Sequence, residues 1–393
     1  MKEAYIVAGY RTAVGKATRG GFRFMSPVDL GATVINHLLK ELPMLDPNRV
    51  DDLIVGNAVP EAEQGLQMAR WVAIRSNLPQ SVGGVTVNRY CGSGVETIAM
   101  ASAKIRTGMA RCIIAGGTES MSLVPTIGFK TVPTYSIAAE HPDYFIGMGL
   151  TAEMVAEKYG ITREQADEFS YQSHVKALKA IETGLFKSEI VPVEVEHVYY
   201  EDGKKKKKSF IVDTDEGPRK DTSIEGLAKL KPVFKMNGQV TAGNSSQTSD
   251  GASFVVIMDE DMVKELGLTP IARLVTSASV GVDPRIMGIG PVAAIPKALA
   301  QAGLSYKDLD LVELNEAFAA QSLGVLKNLP ELNPEIVNVN GGAIALGHPL
   351  GCSGTKLSVQ LFNELRRRKG RYGMVSACIG GGQGIAGIYE LLN

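Results

Sequence analysis

The sequence predicts a layered α/β fold made of two related halves with an insertion between them. Three observations predict it. Short apolar runs alternate with helix-like patterns along most of the 393 residues, as in strands covered by helices. Three segments recur in the same order: RVDDLIVGNAV (49–59) resembles LDLVELNEAF (309–318), VTVNRYCGSGVE (85–96) resembles VNVNGGAIALGHPLGCSG (337–354), and RCIIAGGTES (111–120) resembles YGMVSACIGGGQG (372–384). Chance produces one such match; an ordered set of three marks a duplication. Between the halves, residues 120–250 follow a different pattern of helix-like and hairpin-like stretches. The implied spans are 1–119 with 251–270 for the first half, 120–250 for the insertion and 271–393 for the second half.

Taken in order, strands are expected at 4–8, 52–56, 85–88, 112–116, 253–258, 271–280, 311–315, 337–340, 373–377 and 386–390. Helices are expected to start at Pro27, Gln67, Ser93, Pro291, Ala317 and Ser353. In the insertion, MGLTAEMVAEKYG and TREQADEFSYQSHVKALKAIETG read as helices. The second has Thr162 as its N-cap, Glu164 in its first turn and Gly184 as its stop. VPVEVEHVYY and SFIVDTD read as the arms of a hairpin with EDGKKKKK at its tip. The lysine run at 204–208 reads as a solvated turn, with a docking patch for an anion or acidic partner as the alternative.

Composition narrows the function classes. With 45% hydrophobic residues and a net charge of −1, the chain can bury a large core and offers no global field to recruit nucleic acid or an anionic membrane. No run of eighteen apolar residues exists, so no membrane span is expected. Four cysteines (Cys91, Cys112, Cys352, Cys378) without a CxxC pair imply reduced thiols and no structural zinc. The first residues, MKEAYIVAGYRT, carry no signal-peptide pattern and the last, IYELLN, no peroxisomal tail, so a cytoplasmic location is expected.

Four segments carry reactive chemistry. Cys91 precedes a helix start, where N–H groups and the helix dipole favour a thiolate; Gly92 and Gly94 leave space around the sulfur. A small residue filling a turn reads equally well there. His348, in GGAIALGHPLGCSG, occupies the repeat position matching the Cys91 loop. If the halves pack about a pseudo-twofold axis, the two loops converge and the imidazole can take the thiol proton. Cys378 ends an apolar strand before three glycines whose N–H groups could bind an oxyanion. Asn315, in LNEAFAAQ, offers a neutral amide, and Glu316 reads as an acid/base or a helix cap. Cys112 and Cys352 read as inert buried thiols. No role for Arg89 or Tyr90 follows from the sequence.

Together these segments resemble the thiolase family over nearly the whole chain: NRYCGSG around Cys91, GGT-E at 116–119, NEAFA at 315–319, GHP-G-SG at 347–354 and C-GGG-G at 378–384. The resemblance implies the thiolase fold, with duplicated βαβαβαββ halves in a five-layer α-β-α-β-α sandwich and an inserted loop domain. It implies Cys91 as the acyl-carrying nucleophile and His348 as its base. Cys378 would be the acid/base for the acetyl α-carbon and the thiol of coenzyme A. Asn315 would hold a water in one oxyanion hole, with the N–H groups of Cys91 and Gly380 forming the other. Arg219 and Ser246 would contact coenzyme A, and Met148, Phe234, Ala242 and Phe318 would line the apolar pocket. Coenzyme A and acyl-CoA are then substrates, with no other cofactor and no metal. A homodimer or homotetramer is implied, with a hydratase/dehydrogenase as a possible partner.

PEAEQG (60–65), MGLTAE (148–153), DEGPRKDTS (215–223) and AGNSSQTSDGA (242–252) resemble the degradative 3-ketoacyl-CoA thiolases of fatty acid β-oxidation, which release acetyl-CoA and a shortened acyl-CoA. Acetoacetyl-specific relatives often place a histidine before the Met-Gly; Gly147 stands here and suits a longer chain. The alternative is an acetoacetyl-CoA thiolase condensing two acetyl-CoA. A Cys–His hydrolase would not need Cys378 or the duplication. A non-catalytic acyl-CoA-binding relative would not need all four of Cys91, His348, Cys378 and Asn315. A ketoacyl synthase typically pairs one cysteine with two histidines.

Overall fold

The structure, a computed structural model, describes residues 2–392. Its elements in chain order are β1 Ala4–Thr12, β2 Gly15–Lys16, α1 Pro27–Glu41, β3 Asp52–Gly56, α2 Met68–Arg75, β4 Val85–Val87, α3 Ser93–Arg106, β5 Cys112–Ser120, α4 Tyr135–Glu140, α5 Met148–Tyr159, α6 Arg163–Glu182, β6 Ile190–Val191, β7 Val193–Glu201, β8 Lys204–Val212, α7 Ile224–Ala228, β9 Ser249–Asp259, α8 Glu260–Glu265, β10 Ala272–Gly281, α9 Gly290–Ala302, β11 Leu311–Leu314, α10 Ala319–Asn328, α11 Ala343–Leu346, α12 Leu350–Arg368, β12 Tyr372–Ile379 and β13 Gln383–Leu391. Nine strands form one path in the order β11-β12-β13-β10-β1-β9-β5-β3-β4. The duplication is visible in that order. From the central antiparallel pair β1 and β10, which meet at Ile6 and Ala272, the path outward is β9-β5-β3-β4 on one side and β13-β12-β11 on the other.

Strand periodicity decides the layers. In β9, Val255 and Ile257 point to the central core, while Phe254, Val256 and Met258 point to the outer one. In β13, Ile385 and Tyr389 face the centre, and Ala386 and Ile388 the other side. Both faces are apolar because both are covered. Helices α1 and α2 cover the outer face of the first half, α9 and α10 that of the second, and α3 and α12 fill the space between. This is the expected five-layer order, although β1 and β10 join the two halves into a continuous sheet.

One expected strand is absent. At 337–340 the structure has only a bridge between Val312 and Val337, after a short 3₁₀ turn at Pro334–Ile336. Asn338 explains the loss. It sits at φ +46°, and its side-chain amide accepts from Leu314 N–H at 2.9 Å and donates to the Leu314 carbonyl at 2.8 Å. The side chain thus supplies the ladder bonds that a strand backbone would have made.

Helix starts shift by up to three residues. Helix α2 begins at Met68, α9 at Gly290, α10 at Ala319 and α12 at Leu350. The α10 start is delayed because Phe318 bridges Ser245 in extended conformation. Helix α12 starts early because Pro349 cannot donate and serves as the N-cap, which brings Cys352 and Ser353 inside the helix. Thr162 caps α6 as expected, with Gln165 completing a capping box, and Gly184 follows at φ +73°. The lysine run is not a turn. Lys204–Val212 is strand β8, and the turn is Asp202-Gly203, at φ +52° and +72°, the geometry of a two-residue hairpin loop. The lysines are exposed on that strand.

Candidate active site

The candidate residues meet where the central helices begin. Helices α3 and α12 touch through glycines: a Cβ on Gly94 would stand 2.3 Å from Thr355 N, and one on Gly354 would stand 2.4 Å from Val95 N. The contact is reciprocal, as a pseudo-twofold requires. It brings the turn carrying Cys91 beside the turn carrying His348. Gly92 likewise serves close approach of protein, since a Cβ there would meet Ile379 Cδ1 at 2.7 Å. The expectation that Gly92 and Gly94 open space around the sulfur is therefore corrected: they let helix α12 and strand β12 close in.

Cys91 lies in the 3₁₀ turn Tyr90–Gly92 and is 2% exposed. Burial pushes its thiol up to about 12, opposed by hydrogen bonds to the sulfur from the N–H groups of Gly380 and of Cys91 itself. Desolvation thus outweighs the N–H groups and disfavours a thiolate at the helix mouth. The same two N–H groups are those expected for an oxyanion hole, and they converge on one atom. Cys378, at the end of β12, is fully buried, and that burial raises its thiol well above its ordinary value. It packs with Met287 and Ala317, against Met148 and Phe318.

His348 is fixed on every side. Its N–H donates to the Gln247 carbonyl at 3.2 Å and to Ser249 Oγ at 3.1 Å. Ring Nδ1 lies 2.5 Å from Ser353 Oγ, whose own proton goes to the Pro349 carbonyl at 2.8 Å. Nδ1 is therefore the donor, and Nε2 carries the lone pair. Asn315 Nδ2 donates to that Nε2 at 3.2 Å. Burial, and next the charge of Lys356, lowers the imidazole to about 3, so it is neutral. Burial thus favours the neutral form of both the Cys91 thiol and the His348 imidazole.

The other expected residues fall into two groups. Met148, at the start of α5, and Phe318 pack against the cluster of Met287, Ala317 and Cys378, and Phe234 meets Phe318 edge-on at 6.2 Å between ring centres. Arg219 and Ala242 line a cavity of about 370 Å³ with His174, Ser223, Leu227 and Leu230. Ser246 stands between Gly243 and Gln247, which both line that cavity, and its N–H donates to the carbonyl of Ala317, a member of the Cys378 cluster, at 2.9 Å. Glu316 is neither an exposed acid/base nor the cap of α10. It is buried and accepts from Ser173 Oγ, Asn338 Nδ2 and Ile344 N–H. Cys112 and Cys352 are buried, in β5 and α12.

Sequence reasoning missed Ser353, which sets the histidine tautomer, and Glu119, which accepts from Asn57 Nδ2, Gln64 Nε2, Ala58 N–H and Gly351 N–H. Both stand in recurring motifs, GCSG and GGTES, but their partners are distant in the chain. Among the described residues no group of three or more His, Cys, Asp or Glu could hold a metal ion, and no helix is long and apolar enough to cross a membrane.

Comparison with known proteins agrees with this geometry. The profile described as the thiolase N-terminal domain matches residues 4–261, and that of the thiolase C-terminal domain matches 268–391. The chain belongs to the thiolase family. It is 52% identical over 392 residues to a 3-ketoacyl-CoA thiolase of Bacillus subtilis, covering all of both chains. It is 45% identical over 409 residues to an acetyl-CoA acetyltransferase of Escherichia coli, again covering all of both. Among solved structures, human mitochondrial 3-ketoacyl-CoA thiolase superposes with a TM-score of 0.88 at 41% identity, covering 100% of this chain and 99% of that one. The thiolase fold and an acyltransferase function are thus established for this chain. The names of its relatives divide between 3-ketoacyl-CoA thiolase and acetyl-CoA acetyltransferase.

Proposed function

We propose that the chain cleaves 3-ketoacyl-CoA with free coenzyme A, giving acetyl-CoA and an acyl-CoA two carbons shorter, through an acyl group on Cys91. The observation that carries this reading is the convergence of the Cys91 and Gly380 N–H groups on the Cys91 sulfur, within electrostatic reach of Cys378. In this reading the Nε2 lone pair of His348 takes the Cys91 proton as the sulfur attacks the keto carbon. The carbon–carbon bond breaks, and the electron pair leaves as the enolate of acetyl-CoA. Cys378 protonates that carbon, and its thiolate then takes the proton of incoming coenzyme A, whose sulfur displaces the acyl group from Cys91; the imidazolium of His348 returns its proton to the departing Cys91 sulfur. Asn315 with His348 serves the enolate oxygen, and the Cys91 and Gly380 N–H groups serve the thioester oxygen. Arg219 and Ala242, in the 370 Å³ cavity, suit the coenzyme A body, as do Ser246 and the Met148, Phe234 and Phe318 cluster nearer the thiols. No metal or further cofactor has a part.

The degradative, longer-chain role is supported by Gly147. It directly precedes Met148, and a Cβ there would meet nothing within 4 Å. Condensation of two acetyl-CoA is the second reading, favoured by the name of the Escherichia coli relative. A fatty acid β-oxidation role, a cytoplasmic location and a hydratase/dehydrogenase partner belong to the first. A homodimer, or a tetramer of such dimers, is supported by β4, which pairs with β3 on one side only and so ends the sheet, and by exposed Trp71 and Ile74 on the neighbouring α2, an edge suited to a second copy. Sedimentation showing only monomer would refute the assembly. For the activity, acetoacetyl-CoA and 3-ketodecanoyl-CoA are compared by loss of the 3-keto enolate absorbance. Turnover of both is expected. No turnover of either refutes the enzymatic reading, and turnover of acetoacetyl-CoA alone refutes the longer-chain role.

A further inference from the structure

Arg89 stands two residues before Cys91 and does not enter the chemistry above. Its side chain crosses from one half of the fold to the other. Nη1 donates to Gln383 Oε1 at 3.0 Å, and Nε lies 2.9 Å from Glu96 Oε2 in the first turn of α3. Gln383 opens β13 and pairs with Ile379 of β12, so that pair closes the loop of Gly380, Gly381 and Gly382. Gly381 and Gly382 sit at φ +82° and +84°, so the loop is built from residues with wide conformational freedom. Gly380 is the loop residue whose N–H meets the Cys91 sulfur. On the other side, Tyr90 holds φ +43°, a conformation costing a non-glycine residue ~1–2 kcal/mol unless its neighbours impose it. Its N–H is held by Asn88 Oδ1 at 2.9 Å, and its ring lies 3.8 Å from where a Cβ on Gly380 would stand. Two turns with soft or strained backbone thus each supply one donor, and one guanidinium spans them.

We propose that Arg89 is a positioning residue whose bond to Gln383 sets the spacing between the N–H groups of Cys91 and Gly380, the pair that receives the thioester oxygen. The role in acyl transfer rests on the proposed function; the geometric role does not. Glu96 balances the guanidinium charge, so the effect is one of placement and not of added field. The planar group matters: Nη1 donates to Gln383 while Nε, without a hydrogen-bond partner of its own, stands beside the Glu96 carboxylate as an ion pair, a two-sided placement that the point charge of an ammonium does not reproduce.

The test is a double-mutant cycle of Arg89→Met and Gln383→Leu, with thermal unfolding of each variant to confirm a folded chain. Each single change should lower kcat by roughly 10–100-fold with KM for the ketoacyl substrate within about two-fold, since a misplacement of about 1 Å at reacting groups costs that much. The double variant should fall no further than the worse single. Arg89→Lys should not restore kcat. A second readout does not need turnover: iodoacetamide labelling of the Cys91 peptide, read by mass spectrometry, should slow several-fold in Arg89→Met, because the N–H groups that favour the thiolate are displaced. Multiplicative losses in the double variant, or an unchanged labelling rate in the folded Arg89→Met protein, overturn the proposal. If the unaltered protein turns over no ketoacyl substrate, the proposed function fails, and labelling alone decides the role of Arg89.

Discussion

The contact between helices α3 and α12 yields a prediction in which two principles oppose each other. Gly94→Ala adds one methyl group in the first turn of α3. By helix propensity alone the change stabilises the chain by up to about 1 kcal/mol. The structure reverses the sign. The new Cβ would stand 2.3 Å from Thr355 N, 2.8 Å from Thr355 Oγ1 and 3.0 Å from Gly354 C, whereas ordinary contact begins at 3.4 Å. Two of those atoms are backbone, so no side-chain rotation relieves them. The helices must separate by about 1 Å, and overpacking of this kind costs about 1–3 kcal/mol. Helix α3 follows Cys91 and α12 follows His348, so the same movement parts the thiol from the imidazole proposed as its base. A displacement of about 1 Å predicts a kcat reduced ~100-fold with substrate binding little changed. Circular dichroism melting and steady-state thiolysis measure the two effects together. A variant with equal or higher Tm and kcat within about three-fold of the parent would refute the reasoning.

Three further outcomes follow from the site and the core. Ser353→Ala leaves the buried His348 Nδ1–H without its acceptor, a loss of about 1–3 kcal/mol; kcat should fall ~10–100-fold, Ser353→Thr should recover much of it, and an unchanged kcat would show that the tautomer is not set there. Cys378→Ala should still form the acyl group on Cys91, seen as a mass increase of the intact protein after incubation with acyl-CoA, but should not complete thiolysis; normal turnover would remove Cys378 from the mechanism. Asp215 is fully buried, where burial raises its carboxyl, but both oxygens take the Arg11 guanidinium and one also takes Val14 N–H, and these hold it below the ordinary carboxylate range. A carboxyl lowered on folding stabilises the chain above its unfolded value near ~4, and that contribution disappears as pH falls through the folded value. Asp215→Asn should therefore lose about 3–5 kcal/mol at neutral pH, read from the urea midpoint, and show a flatter acid limb below about pH 4; an identical acid limb in both proteins would contradict the assignment. Glu189, which takes Arg11 Nε and Asn363 Nδ2, is raised instead because burial prevails over its attraction to Arg11, and the nearby Asp215 charge adds to the rise.

What the sequence determined by itself was local and repetitive. Alternation in 253–258 and 386–390 placed strands there, because the period of two in apolar side chains is written in the strand itself. The three recurring segments announced two halves, and the motif residues named Cys91, His348, Asn315 and Cys378 as a set. What only the tertiary structure decided depended on which distant element covers each segment. Residues 337–340 read as a strand, but Asn338 reaches Leu314 and replaces the ladder with its side chain. Gly92 and Gly94 read as space for a substrate, but Ile379 and Thr355 occupy that space. The helix mouth at Cys91 favours a thiolate, but the packed core around it raises the thiol to about 12. Protonation follows the desolvation and the donors supplied by the whole fold, and neither is encoded in the residues adjacent to the sulfur.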